Sequence, residues 1–151
     1  MIFLDANIFL RYLVQPTTPA TRRMAREAHT LFQAVKRGDE AVTTSEVVLH
    51  EVVYVLASKA HYGRAPADIA TDLAPILRLR GFKLPRGMKR LYLRALDLYA
   101  TYPKLGFADA LVAAHVEQQG LPLATFDTDF DTIPGITRWQ PPATGGGGTR
   151  C

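Results

Sequence analysis

The sequence predicts an α/β fold built on a parallel sheet. Short runs of strand length, at Ile2–Leu4, Ala41–Thr43, Phe82–Leu84, Leu121–Thr125 and Ile136–Arg138, alternate with longer helical patterns. Strands that alternate with helices pair in parallel through right-handed crossovers. The 151 residues, 48% of them hydrophobic, suit one domain with a single core. That domain is expected over residues 1–140. A disordered tail, 141–151, with four consecutive glycines and little apolar content, is expected after it.

The first run, Ile2-Phe-Leu4, is continuously apolar, as in a strand covered on both faces. It stops at Asp5, and Asn7 follows. A carboxylate ending a buried strand needs a partner, and strand ends are where open α/β sheets bind ligands. Asp5 as the cap of a short helix, Ile8 to Val14, explains the residue equally well. Thr18 and Pro19 read as the cap and first residue of the next helix, which Gly38 ends.

After Ala41–Thr43, Thr43 and Glu46 offer a capping box for a helix running to about His61. Between Val47 and Ala57 its strongly polar side chains are His50 and Glu51. A helix so apolar is expected to be buried nearly all round, with Glu51 on the face of Val47, Val48, Tyr54 and Val55. Pro66 opens a further helix to about Leu79, which Pro75 should kink or break. Met88 to Tyr102 is helical. A last helix begins near Leu105, carries Asp109 in its first turn and stops at Gly120. Asp127, Asp129 and Asp131 follow the fourth strand directly.

Parallel topology brings Asp5, Asp109 and Asp127 to one edge of the sheet, and Glu51 can reach that edge from its helix. Carboxylates crowded together repel, and some must take up protons unless a cation neutralises them. Hard divalent cations accept oxygen ligands, so Mg²⁺ fits, with Mn²⁺ a plausible substitute. Such a site can activate water and stabilise the leaving oxygen of a phosphodiester. No His pair or cysteine cluster competes for the role, since the one cysteine is Cys151. Gly145–Gly148 follow no strand that feeds a helix, so they are not a phosphate loop.

Four stretches in order resemble the PIN domains: Ile2-Phe-Leu-Asp-Ala-Asn-Ile-Phe-Leu-Arg-Tyr-Leu13, Ser45-Glu-Val-Val-Leu-His-Glu-Val-Val-Tyr-Val-Leu56, Ala108-Asp-Ala-Leu-Val-Ala-Ala114 and Ala124-Thr-Phe-Asp-Thr-Asp-Phe130. Their spacing and the compact size are most similar to the VapC toxins of toxin–antitoxin pairs. The resemblance runs from Met1 to about Trp139. It implies a three-layer α/β/α sandwich on a central parallel sheet and a Mg²⁺-dependent endoribonuclease, a hydrolase of RNA phosphodiesters. It also implies a cognate antitoxin and a homodimer. Asp5, Glu51, Asp109 and Asp127 would form the acidic quartet, with Asp5, Asp109 and Asp127 on the metal. Asn7, Ser45 and Thr125 would orient the quartet through hydrogen bonds. Pro75 and the glycine tail have no counterpart in the pattern. Asp129 and Asp131 leave open which acid takes the fourth position.

Net charge is +4. With the quartet set aside, ten of the 14 acidic side chains remain against 18 Lys and Arg, which suits a polyanionic substrate. Arg78, Arg80, Lys83, Arg86, Lys89, Arg90 and Arg94 concentrate part of the excess, as a solvated face or as a phosphate contact. Arg11 and Lys104, close in sequence to the acids, are the individual RNA-binding candidates. Tyr12, Phe107 and Phe126 suit core packing more than base stacking, and His115 reads as a structural histidine. No apolar stretch approaches the roughly 20 residues of a membrane span. Asp5 and Arg11 interrupt any secretory signal, and a cytoplasmic protein is expected. An RNA-processing nuclease without an antitoxin keeps the same chemistry. A phosphoryl-transfer domain of the receiver or haloacid-dehalogenase type fits less well. The phosphatase would need an aspartate where Asn7 stands, and both would need a lysine late in the sheet. A binding module with a decayed site is disfavoured by the presence of all four acids.

Overall fold

The computed structural model describes residues 1–143. Two short strands form the sheet, β1 (Ile2–Phe3) and β2 (Val42–Thr43), paired in parallel with Ile2 opposite Val42 and Phe3 opposite Thr43. Ile2 N–H donates to the Ala41 carbonyl and Leu4 N–H to the Thr43 carbonyl, at 2.9 and 2.8 Å. Parallel neighbours need a long crossover, which α1 (Ala6–Leu13) and α2 (Pro19–Arg37) supply.

The third expected strand contributes one parallel bridge, Val42 to Phe82, held by Val42 N–H on the Gly81 carbonyl and Lys83 N–H on the Val42 carbonyl. Gly81 permits this approach, because a Cβ there would overlap the Glu40 carbonyl oxygen. Leu121–Thr125 and Ile136–Arg138 likewise reduce to a single parallel bridge, Leu123 to Arg138. Pro122 has no N–H for a ladder, which limits pairing there.

Four further helices complete the order: α3 (Glu46–Ala57), α4 (Pro66–Leu77), α5 (Met88–Thr101) and α6 (Phe107–Gln119). A short 3-10 helix, Thr128–Thr132, follows and was not expected from sequence. The architecture is α/β, with helices packed around a small parallel sheet, as the expected sandwich requires.

Several local expectations change. The cap of α3 is Ser45, whose Oγ accepts from Val48 N–H at 3.4 Å, rather than Thr43, which is held in β2. That helix ends at Ala57 instead of about His61, because the chain turns there and Arg64 N–H donates to the Leu56 carbonyl. Arg64 pins the turn by donating to the Leu13 carbonyl and to Asp72. Pro75 sits in the last turn of α4, so its missing N–H coincides with the end of the helix at Leu77. The expected tail, 141–151, lies outside the described residues from 144 on.

Leu4, 1% exposed, anchors β1 in the core. Ile2 and Phe3 are 41% and 59% exposed, so the strand is not covered on both faces. Among the described residues β1 has β2 as its one bridged neighbour. Phe9 of α1 packs its ring against Phe32 of α2 and Phe82 beside β2, with centroids 5.9 and 6.2 Å apart. This aromatic cluster, buried in full, seats α1 on the sheet and so fixes Asp5 between Leu4 and the helix.

Candidate metal and nucleic-acid site

Asp5 caps α1. Its Oδ1 accepts from Ala6 N–H at 2.8 Å, so the capping explanation of this residue holds, and it engages one carboxylate oxygen. Asn7, two residues on, is exposed and lines a groove between α1 and α2 together with Arg11 and Glu27.

A perturbed carboxyl lies at the start of α6. Asp109 is in the first turn, half-buried on a helix that sinks Phe107, Ala110, Leu111, Ala113 and Ala114 into the core. Its carboxyl is held above the ordinary carboxylate range, first by burial and then by the charges of Asp127 and Asp129. Asp127 caps the 3-10 helix, with Oδ1 accepting from Asp129 N–H at 2.9 Å. Thr125 sits behind it, its hydroxyl accepting from Asp127 N–H at 3.1 Å. Asp131 is placed differently: Arg138 clamps it through two bonds, 2.6 and 2.9 Å. Of the three acids after the fourth strand segment, Asp131 is thus neutralised, while Asp127 and Asp129 act on Asp109.

Glu51 departs from expectation. The buried side of α3 is Val48, Leu49, Val52, Val53 and Leu56, whereas Glu51 is exposed, with Val47 and Tyr54 beside it at 76% and 66% exposure. The helix is apolar on both sides, so composition alone could not reveal which stripe packs. Ser45, expected to orient the quartet, uses its Oγ as the cap of the same helix.

The structure therefore brings Asp109 into the field of Asp127 and Asp129 and leaves Asp5 and Glu51 exposed on α1 and α3. Among the described residues, no three His, Cys, Asp or Glu side chains converge closely enough to hold a metal ion. The donor chemistry still fits a hard divalent cation, because Asp5, Glu51, Asp109, Asp127 and Asp129 form no salt bridge among the described residues.

One contact had no expectation behind it. Glu46, in the first turn of α3, meets Nε2 of His115 on α6 at 3.2 Å, tying the two acid-bearing helices together. Its charge also helps burial raise the Tyr92 hydroxyl. A glutamate beside a helix cap reads in sequence as a capping partner, which hid this role. Lys104 is exposed in the loop before α6 and lines a groove shared with Asp129 and Thr132. In the basic stretch, Arg94 is committed to Glu117 and Asp97, and Lys89 donates to the Phe82 carbonyl. Arg78, Arg80, Lys83, Arg86 and Arg90 are exposed and form no ion pair among the described residues.

The model of the PIN domain family matches residues 2–136. No curated protein matches the chain. No helix among the described residues is long and apolar enough to cross a membrane.

The raised Asp109 carboxyl has a consequence for stability. The folded state binds this proton more tightly than the unfolded chain. Its contribution therefore falls as pH rises from the ordinary carboxylate range through the raised pKa. Asp109→Asn should melt at a higher temperature than wild type at neutral pH in chelator, and the gap should close as pH is lowered into the ordinary carboxylate range. Thermal melts across pH measure this, and a uniform loss of stability at every pH would contradict it.

Proposed function

Because the chain belongs to the PIN domain family, whose members are generally nucleases, we propose that it is a Mg²⁺-dependent endoribonuclease serving as the toxin of a toxin–antitoxin pair. The observation that carries the reading is the raised carboxyl of half-buried Asp109, with Asp127 and Asp129 adding to the effect of burial while Asp131 is tied to Arg138. Like charges near one another, none of them in an ion pair among the described residues, suit a site that takes a cation from solution.

In this reading Asp5, Asp109 and Asp127 hold the ion, and Glu51, exposed and long enough to swing, completes the quartet. When bound, Mg²⁺ would polarise the phosphodiester and lower the pKa of an attacking water. Thr125 fixes the backbone of Asp127, Asn7 stands near Asp5, and Ser45 fixes the start of α3. Arg11, in the groove beside Asn7, and Lys104, in the groove shared with Asp129, would hold backbone phosphates in this reading. Arg78, Arg80, Lys83, Arg86 and Arg90, exposed and in no ion pair among the described residues, add longer-range attraction, which weakens with salt. The toxin assignment rests on the four ordered stretches of sequence, and a cognate antitoxin and a homodimer come with it.

Purified protein should cut single-stranded RNA with Mg²⁺ or Mn²⁺ and not in excess chelator. Glu51→Gln should keep a cooperative melt and lose most cleavage. Cleavage that persists in chelator would overturn the metal mechanism, and full activity of Glu51→Gln would remove Glu51 from the site.

Expression of the chain in growing bacterial cells should arrest growth, and Asp5→Asn should relieve the arrest without loss of soluble protein. Normal growth on expression of a chain that cuts RNA in vitro would favour an RNA-processing role without an antitoxin.

A further inference from the structure

A second groove, with a volume of about 440 Å³, lies between α3 and the start of α6. Phe107 and Tyr99, each 6% exposed, form its floor with rings 5.6 Å apart, edge to face. His50 stands over Phe107 with its ring nearly parallel, at 25° and 6.4 Å. Tyr54, 66% exposed, offers its ring at the rim, Ser58 supplies a hydroxyl, and Gly106 leaves open space where a side chain would stand. Among the described residues no Asp, Glu, Lys or Arg lines it.

The position of the groove identifies its occupant. Its α3 wall is His50 and Tyr54, which flank Glu51 in sequence; Tyr54 is three residues beyond Glu51, a spacing that makes their side chains neighbours on one helix face. Its α6 wall is Gly106 to Ala108, the residues just before Asp109. A chain whose phosphate lies at these acids would present an adjoining base to this uncharged aromatic surface. Stacking tolerates any base and needs no charge, whereas the phosphates need the cations found elsewhere. Its volume lies in the range of pockets that take small flat ligands.

Resting on the nuclease reading, we propose that the His50–Tyr54–Phe107 groove is a nucleobase subsite, in which Tyr54 and His50 stack on a base next to the scissile phosphate of single-stranded RNA. Tyr54 and His50 are then determinants of substrate position and base preference.

The test is a titration of fluorescent oligoadenylate, and of an abasic chain of the same length, into the full-length protein in chelator, where nothing is cut. Tyr54→Ala should weaken oligoadenylate binding roughly 5- to 100-fold. Tyr54→Phe, which keeps the ring, should bind like wild type, and His50→Ala should lose a smaller factor. The abasic chain should bind wild type weakly and be indifferent to all three changes. Light scattering follows the particle mass in parallel. Equal affinities in wild type and Tyr54→Ala, no measurable binding of oligoadenylate by wild type, or an equal loss for the abasic chain would each overturn the subsite. So would a change of mass in Tyr54→Ala with RNA affinity intact, which would make this face a contact between copies. Cleavage with Mn²⁺ is read separately. Wild type that binds through Tyr54 but cuts nothing overturns the nuclease reading alone, and cleavage without Tyr54-dependent binding overturns the subsite alone.

Discussion

A half-buried carboxyl at the head of α6 is the constraint on which the candidate site depends: burial raises Asp109 first, and the charges of Asp127 and Asp129 add to it. Asp109 cannot withdraw, because the same helix buries Phe107, Ala110, Leu111, Ala113 and Ala114. Asp127 is kept in place by Thr125 behind it and by its own bond to Asp129 N–H. Arg138, which could neutralise the group, is spent on Asp131, and its backbone is fixed by the bridge to Leu123. The fold thus holds like charges near one another and ties Arg138 to Asp131. Sites that work on substrates commonly carry such local instability, which the rest of the core offsets.

The remainder of the chain serves that arrangement. The Phe9–Phe32–Phe82 cluster seats α1, and with it Asp5, at the end of β1. The Glu46–His115 contact links α3 to α6 and sets the helix bearing Glu51 against the helix bearing Asp109. Both contacts join elements far apart in sequence, and each sets where an acid stands without supplying one.

Much of this was legible in the residues because it depends on local chemistry. Thr18 and Pro19 open α2, Gly38 and Gly120 end helices in left-handed conformations, and Asp109 falls in a first turn, all as short-range rules require. What the residues could not convey depends on tertiary packing. Glu51 lies on a helix apolar all round, and burial of Val48, Leu49, Val52, Val53 and Leu56 turns it outward rather than inward. The strand-like runs after Leu121 reduce to one bridge, Leu123 to Arg138, beside Pro122. Setting Asp131 apart from Asp127 and Asp129 needed the position of Arg138, seven residues beyond it, which spacing does not fix. The pairing of Glu46 with His115, 69 residues apart, left no local pattern to read.

The most direct test of the account is Mn²⁺ binding by calorimetry at neutral pH, comparing wild type with Asp109→Asn and Asp131→Asn. The account predicts that wild type binds the ion and that Asp109→Asn weakens binding by roughly tenfold or more. Asp131→Asn, which removes an acid already held by Arg138, should bind Mn²⁺ nearly as wild type does. Equal binding by wild type and Asp109→Asn, or a greater loss in Asp131→Asn, would contradict it.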